Sequence, residues 1–197
     1  MAKEINHVER RRMVVVKAMR LFAQMGYSKV SFLTISEATG IARTALYRYF
    51  KSKRELFDEA IHELTGGLMV ELGEIIERGE TVSARLEQVC CLVVEEMYRK
   101  RDFFLAIFDF VFSMVRAGED MTGRIALFTD GLKHVYRKLI AEGVRRGEIK
   151  PDVNPQEMAD VLFSVMESIS FRVLLKTEKT PEAAKKRFHC LINTISL

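Results

Sequence analysis

The chain has 197 residues, of which 48% are hydrophobic, so it can bury a sizeable core, and it has no apolar run approaching the ~18 residues of a membrane span. Its three cysteines lack metal-ligand spacing and two of them are adjacent, which argues against a zinc site or disulfide scaffold and favours a reduced, cytoplasmic protein. The net charge of +4 hides a basic start, because residues 1–55 carry 12 Lys and Arg against 4 Asp and Glu, whereas the remainder carries 19 against 23.

Three helices joined by tight turns are predicted in the first 50 residues. Only three prolines and eleven glycines interrupt the whole chain, which favours helices over many short strands. The first helix is expected to begin at Asn6 in a capping box and to end at Gly26. Ser31 or Thr34 can cap a second, short helix, and a third is expected over residues 43–50.

The segment over residues 34–47 has the spacing of a helix-turn-helix. Ala38 is small where two helices would cross closely, Gly40 tolerates a positive φ at the turn, and Ile41 can fill the space beneath it. The second helix of such a unit can lie in the major groove of DNA. The basic charge of this region suits that partner, although a helical hairpin used only for packing, with a solvated basic face, would look similar.

Polar residues on the third helix are candidates for DNA contacts. Arg43 can pair with guanine O6 and N7, and Thr44 can contact a base edge or a thymine methyl group. Tyrosine hydroxyls suit phosphate oxygens, and so does a lysine at a helix N-terminus. The predicted DNA-binding residues are Thr34, Arg43, Thr44, Ala45, Tyr47, Arg48, Tyr49 and Lys53.

Six further helices are predicted after the helix-turn-helix. A long amphipathic helix starts near Lys53 without a linker, so we expect a DNA-binding domain over residues 1–52 and a sensing and dimerisation domain over residues 53–197. The last two helix starts are the best marked, because Asn154 and Thr180 each precede a proline and an acidic residue lies in the first turn. The expected fold is all-α with nine helices.

A phenylalanine-rich segment indicates an apolar pocket in the second domain. Five of the thirteen phenylalanines fall within residues 103–112, which suits a hydrophobic or aromatic ligand, although a plain core shows the same stripe. Asp109 shares a polar strip with Ser113 and is expected to face water. The alternative is a buried acid that selects cationic ligands, with Glu167 as a second candidate. The predicted pocket residues are Met97, Phe104, Phe108, Phe112, Met114, Phe163 and Met166.

The eighth helix is apolar on more than one side and therefore needs cover from two directions. With the last helix it suits a four-helix interface between two copies of the chain, unless both faces are buried within one copy. The predicted dimer residues are Leu162, Val165, Ile169, Val173, Phe188, Leu191, Ile192 and Ile195.

The N-terminal motifs together resemble the TetR family of bacterial repressors. The resemblance runs almost continuously through residues 18–27, Ile35–Ile41, Ala45–Phe50 and Lys51–Leu56, and residues 146–155 look like the turn before the family's eighth helix. It implies a DNA-binding head and a body that binds a small molecule between its helices and dimerises through the last two. The sequence departs from the family pattern at three positions, Ser36, Thr44 and Ala45.

The sequence thus predicts a homodimeric repressor that binds a palindromic operator and is released by a small hydrophobic ligand. Its two recognition helices would lie about one DNA turn apart. No cofactor or metal site is expected, and no paired carboxylates, nucleophile with a base, or metal-ligand array supports a helical enzyme. An adaptor whose helix-turn-helix packs against protein is a further alternative, and the same pattern also fits an activator.

Overall fold

A computed structural model describes residues 2–197, except for the side chains of residues 2–6, Leu64, Leu127 and Phe128. Within that range the chain forms nine α-helices and no strand, with one antiparallel bridge between Ile149 and Ser196. The helices are α1 (Ala2–Met25), α2 (Phe32–Thr39), α3 (Arg43–Tyr49), α4 (Lys53–Ile76), α5 (Val82–Arg99), α6 (Arg101–Arg116), α7 (Thr122–Arg146), α8 (Pro155–Leu174) and α9 (Pro181–Ile195).

The all-α fold predicted from the sequence is confirmed, and most helix ends lie close to the expected positions. The start of α1 is different, because the helix begins at Ala2 and already includes Asn6. Strong helix formers precede Asn6, so a capping sequence there does not oblige the helix to start. The capping side chain of Asn6 itself lies outside the described residues. Asn154 caps α8 as expected, since its Oδ1 accepts from two backbone N–H groups.

The chain divides into two compact units that do not follow the sequence-based boundary after residue 52. The head unit contains the residues up to Gly66 together with residues 102–121, and the body unit contains residues 67–101 and 122–197. The first half of α4 and most of α6 therefore belong with the helix-turn-helix. Local sequence patterns cannot show that residues 102–121, which follow after the intervening residues 67–101, complete the same core.

Aromatic side chains form much of the core of the head unit. Phe57 on α4 stacks on Phe110 on α6, with ring centroids 4.3 Å apart, and Tyr27 meets Phe110 edge-on at 4.7 Å. Ile35 and Leu46 are fully buried, which places the apolar sides of α2 and α3 in this core. The polar sides of these two short helices are consequently turned outwards.

In the body unit, α5 packs against α7, α8 and α9. Cys90 on α5 is fully buried, and its Sγ lies 3.8 Å from the hydroxyl of Tyr136 on α7. Burial raises the pKa of the Cys90 thiol, so this cysteine stays protonated and unreactive. Across the described residues, the helices are too short or too polar to cross a membrane.

Three glycines within helices should differ in how their replacement by alanine changes the stability of the protein. A Cβ at Gly66 or Gly67 would meet at most an ordinary contact, so either substitution should raise the free energy of unfolding by up to about 1 kcal/mol through helix propensity. A Cβ at Gly143 would lie 2.6 Å from Cδ1 of Ile149 and 3.0 Å from Cγ1 of Val82, both of which are buried. Overpacking there typically costs ~1–3 kcal/mol, so Gly143→Ala should be destabilising. Unfolding of the three variants in denaturant measures the change in the free energy of unfolding. Stabilisation by Gly143→Ala would contradict the expected clash.

Candidate nucleic-acid interface

The turn between α2 and α3 is fixed by one glycine and by side-chain hydrogen bonds. Gly40 has a φ of 70°, and a Cβ there would meet nothing within 4 Å, so the left-handed backbone and not crowding requires glycine. Ser36 Oγ donates to the carbonyl of Ile41 at 2.7 Å, and Thr39 Oγ1 donates to the carbonyl of Ile35 at 2.7 Å. The serine that departs from the family pattern therefore helps to tie this turn.

The outer face of α3 carries a stacked pair of side chains. Arg43, Tyr47 and Arg48 are exposed, while Leu46 between them is buried. The guanidinium of Arg43 lies 5.6 Å from the centroid of the Tyr47 ring, and its Nη2 donates to the Tyr47 hydroxyl at 3.4 Å. The Tyr47 ring in turn meets Phe32 of α2 edge-on at 4.7 Å. A planar guanidinium supported in this way can present its donors as a fork to a base edge.

The remaining α3 candidates occupy less open positions. Thr44 is exposed at the start of the helix, whereas Ala45 is half-buried. Tyr49 is also half-buried, and its ring meets His7 of α1 at 4.7 Å. On α2, the Thr34 hydroxyl lies 3.0 Å from Ser31 Oγ, within the capping box of that helix. Ser31 is thus the residue that caps α2, and the contacts of all four candidates with DNA stay predictions.

Lys53 has a structural role that sequence reasoning missed. Its Nζ donates to the carbonyl oxygens of Tyr27 at 2.6 Å and Val30 at 2.9 Å, and lies 4.1 Å from the Tyr27 ring centroid. Desolvation lowers the pKa of this ammonium group. Because an ammonium has three N–H donors, the two carbonyls take most of its capacity. Lys53 therefore fixes the turn between α1 and α2, and a phosphate contact stays a prediction.

The residues predicted for an apolar pocket are divided between the two units. Phe104, Phe108 and Met114 are half-buried in the head unit, where Phe112 is 46% exposed. Three others belong to the body unit, where Met97 and Met166 are buried and Phe163 is half-buried. The pocket itself stays a prediction.

The two acids considered for a ligand contact, Asp109 and Glu167, have surroundings that differ from the predicted ones. Asp109 is half-buried and its Oδ2 accepts from the backbone N–H of Tyr27 at 2.6 Å, so the expectation that it simply faces water is wrong. The predicted polar strip on α6 is present, but Asp109 and Ser113 within it contact the turn after α1. Glu167 is exposed, which contradicts a buried acid at that position.

A groove in the body unit has a different character from the predicted pocket. It measures about 560 Å³ and is bordered by three glutamates and four other residues, namely Glu71, Leu92, Glu95, Glu96, Tyr98, Arg99 and Pro181. The carboxylate of Glu96 is buried and is paired with Arg99 and Lys100. The groove shares no lining residue with the predicted apolar pocket. Among the described residues no group of three His, Cys, Asp or Glu is arranged to hold a metal ion.

Six of the eight residues predicted for a dimer interface are instead buried within the chain, which corrects that part of the prediction. They are at most 4% exposed because they pack into the core of the body unit: Leu162, Ile169, Val173, Phe188, Ile192 and Ile195. Val165 and Leu191 are half-buried. The apolar residues on the outward side of α8 and just beyond it are Val161, Phe171 and Leu175, which are 43%, 44% and 71% exposed.

The chain resembles known regulators in sequence and in fold. Residues 14–60 match the family model for bacterial regulatory proteins of the tetR family. The nucleoid occlusion factor SlmA of Marinobacter nauticus is 24% identical over 140 residues, which is 71% of each chain. A TetR-family regulator from Rhodococcus sp. has a TM-score of 0.79 at 22% identity, with 95% of this chain and 98% of that chain covered. FadR from Bacillus subtilis, solved with stearoyl-CoA, has a TM-score of 0.76 at 17% identity, with 91% and 95% covered.

A helix-turn-helix with a basic, outward-facing second helix, in a segment that matches the bacterial regulatory-protein model, defines a DNA-binding transcriptional regulator. The fold over nearly the whole chain is that of the same group of proteins. Residues 14–60 are those of the bacterial tetR-family regulatory proteins, and the chain as a whole shares its fold with a TetR-family regulator.

Proposed function

We propose that this protein is a homodimeric, cytoplasmic repressor whose two α3 helices bind the two halves of a palindromic operator. The observation that supports this most directly is the outer face of α3, where Arg43 is held over Tyr47 with no acidic residue on the same helix. Arg43 reads bases, the hydroxyls of Tyr47 and Tyr49 and the charge of Arg48 contact phosphates, and Thr44 lies against a base edge. Thr34, Ala45 and Lys53 border the same surface.

The experiment that tests DNA binding is selection from a random pool of duplexes, followed by affinity measurements over a range of salt concentrations. Phosphate contacts release counterions, so the logarithm of affinity should fall steeply and linearly with the logarithm of salt concentration. A single palindromic motif should emerge from the selection. An unselective pool with no salt dependence would refute the proposal and favour an adaptor that binds protein.

Dimerisation is proposed to use the outward side of α8 together with α9. Val161 and Phe171 face outwards on α8, with Ser164 and Ser168 exposed between them, so small and apolar side chains form one strip. Leu175 extends this strip beyond the end of the helix. Such a strip allows two helices to pack closely across a two-fold axis.

Phe171→Asp should dissociate this dimer. A carboxylate placed in the interface loses hydration without gaining a partner, which is expected to weaken association on the order of 100-fold. Sedimentation velocity over a concentration series measures the change. Val70→Asp is the matched control, because Val70 is 66% exposed on α4 and its substitution should leave the dimer intact. An unchanged dimer of Phe171→Asp would place the interface elsewhere.

The proposed effector is a small hydrophobic molecule bound near the phenylalanine-rich α6. The apolar side chains of that helix suit an acyl or aromatic group. FadR from Bacillus subtilis, which shares the fold, was solved in complex with stearoyl-CoA, and this supports a long-chain acyl compound as the first probe. Release of the selected DNA by stearoyl-CoA, but not by coenzyme A alone, would support the proposal. If neither compound released the DNA, long-chain acyl compounds would be ruled out as the effector.

A further inference from the structure

One peptide in the turn after α1 is held from opposite sides by two charged side chains. The backbone N–H of Tyr27 donates to Asp109 Oδ2 of α6 at 2.6 Å, and the carbonyl of Tyr27 accepts from Lys53 Nζ of α4 at 2.6 Å. Both partners are charged, and charge-assisted hydrogen bonds are about twice as strong as neutral ones. A single residue of the turn thus connects α1 with α4 and with α6.

The end of α1 makes this arrangement possible. Gly26 follows the last helical residue with a φ of 84°, and its N–H donates to the carbonyl of Phe22 at 2.9 Å. In a Schellman end, the next N–H would return to the same helix, whereas here the Tyr27 N–H donates to α6. A Cβ at Gly26 would lie 3.4 Å from Asp109 Oδ2, which is an ordinary contact, so the left-handed backbone and not crowding favours glycine here.

Neighbouring residues of α6 reinforce the contact at helical spacing. Phe110 packs edge-on against the Tyr27 ring at 4.7 Å, and Ser113 Oγ lies 2.6 Å from Ser28 Oγ. These positions, together with Asp109, lie on one side of α6 and all meet the same short turn. Asp109 supplies the only one of these contacts that involves a charge.

The same turn leads directly into the helix-turn-helix. Val30 is buried, and its carbonyl accepts from Lys53 Nζ at 2.9 Å, one residue before Ser31 caps α2. A displacement of the turn would therefore shift the start of α2, and α3 would move with it through the short turn at Gly40. The orientation of the recognition helix depends on how firmly this turn is held.

We propose that Asp109 is a positioning residue for DNA binding, which holds the turn at Tyr27 from α6 and so sets the orientation of α2 and α3. The inference rests on the proposed function, since it assumes that α3 binds DNA. The sequence predicted that Asp109 faces water, with a buried, ligand-selecting acid as the alternative, and the geometry instead gives its carboxylate the backbone N–H of Tyr27 as a partner.

The test compares Asp109→Ala, Asp109→Asn and Asp109→Glu in the full-length protein. Binding of the selected duplex is measured for each variant that folds, at a temperature below its unfolding transition, and amide hydrogen exchange is followed at Tyr27. Alanine should weaken DNA binding about tenfold and accelerate exchange at Tyr27, because the acceptor is lost. Asparagine keeps an acceptor oxygen and should remain within about threefold of the wild type. Glutamate lengthens the side chain towards Gly26 and should weaken binding even if the alanine variant does not fold.

Three results would overturn the proposal. The first is a folded Asp109→Ala variant with wild-type affinity, and the second is equal loss of affinity in the alanine and asparagine variants. The third is wild-type affinity in Asp109→Glu. A merely structural role would lower the melting temperature of the alanine variant without changing the affinity of its folded form. If the wild type itself shows no salt-dependent binding to any duplex, the proposed function fails, whereas Tyr27 exchange still shows separately whether Asp109 holds the turn.

Discussion

Replacing Arg43 by alanine is expected to flatten the base preference at one or two positions in each half-site. A bidentate arginine–guanine pair discriminates against the wrong base by ~1–3 kcal/mol, and Arg43 is the exposed guanidinium at the start of α3. Selection from a random pool with the variant, scored position by position, measures the loss. An unchanged preference at every position would show that Arg43 does not read bases.

Arg48→Ala is the matched control for this experiment. It removes the same charge from the same helix, but Arg48 lies in the last turn of α3 and is expected to contact phosphate. Its loss should lower affinity for all sequences and reduce the salt slope by roughly one, with base preference unchanged. Tyr47→Phe keeps the ring beneath Arg43 and should preserve base preference while losing the hydroxyl.

Replacing Glu142 by alanine should produce a large loss of stability. Glu142 Oε1 accepts from Arg85 Nη2 at 2.5 Å and from Arg146 Nη1 at 3.0 Å. The Arg85 side chain is only 3% exposed, and it also donates to the carbonyl of Ile76 at 2.6 Å. Removing the carboxylate would leave a buried guanidinium without its counter-charge, which typically costs about 3 kcal/mol or more. The free energy of unfolding in denaturant at neutral pH measures the loss.

The same ion pair gives stability a defined dependence on pH. Hydrogen bonds from Arg85 lower the pKa of Glu142 below its ordinary value of 4.5. A depressed carboxyl pKa contributes stability that is complete above the unfolded-state pKa and is lost as the pH falls through the folded-state pKa. The difference in stability between wild type and Glu142→Ala should therefore shrink below pH 4.5. A difference that stays constant in acid would show that the ionised pair is not its source.

Glu77→Ala is the control for this loss. Glu77 and Lys138 are 80% and 52% exposed and their charged atoms lie 3.6 Å apart. Exposed ion pairs of this kind contribute roughly 0–1 kcal/mol, so the control should unfold nearly like the wild type. Equal destabilisation by both substitutions would mean that burial of Arg85 does not set the size of the effect.

The fold could be predicted from the sequence because its signals are local. The proline-marked starts of α8 and α9 and the spacing around Gly40 are patterns of a few adjacent residues, and the structure shows helices or a left-handed turn at each of them. Capping and glycine conformation are decided within one turn of helix. The position of Ile35 and Leu46 in the core follows from the same short-range periodicity.

Other features depended on contacts between distant parts of the chain. Lys53 has the residue type and position of a phosphate contact, but carbonyl groups about 25 residues earlier bind its ammonium group. The polar strip of Asp109 and Ser113 looked like a solvated face because sequence periodicity shows that a face is polar and does not identify what covers it. For the same reason, an apolar α8 could not reveal which of its two sides packs inside one chain.

The discontinuous make-up of the head unit limits how the protein can be cut and recombined. A graft that ended after residue 52 would lack both Phe57 and Phe110, and one that ended at Gly66 would leave Tyr27 and Phe57 without the Phe110 ring against which they pack. Chimaeric regulators that join this DNA specificity to a foreign sensor should therefore carry residues 102–121 along with the N-terminal segment. The DNA-binding unit of this protein is therefore encoded by two separate segments of its gene.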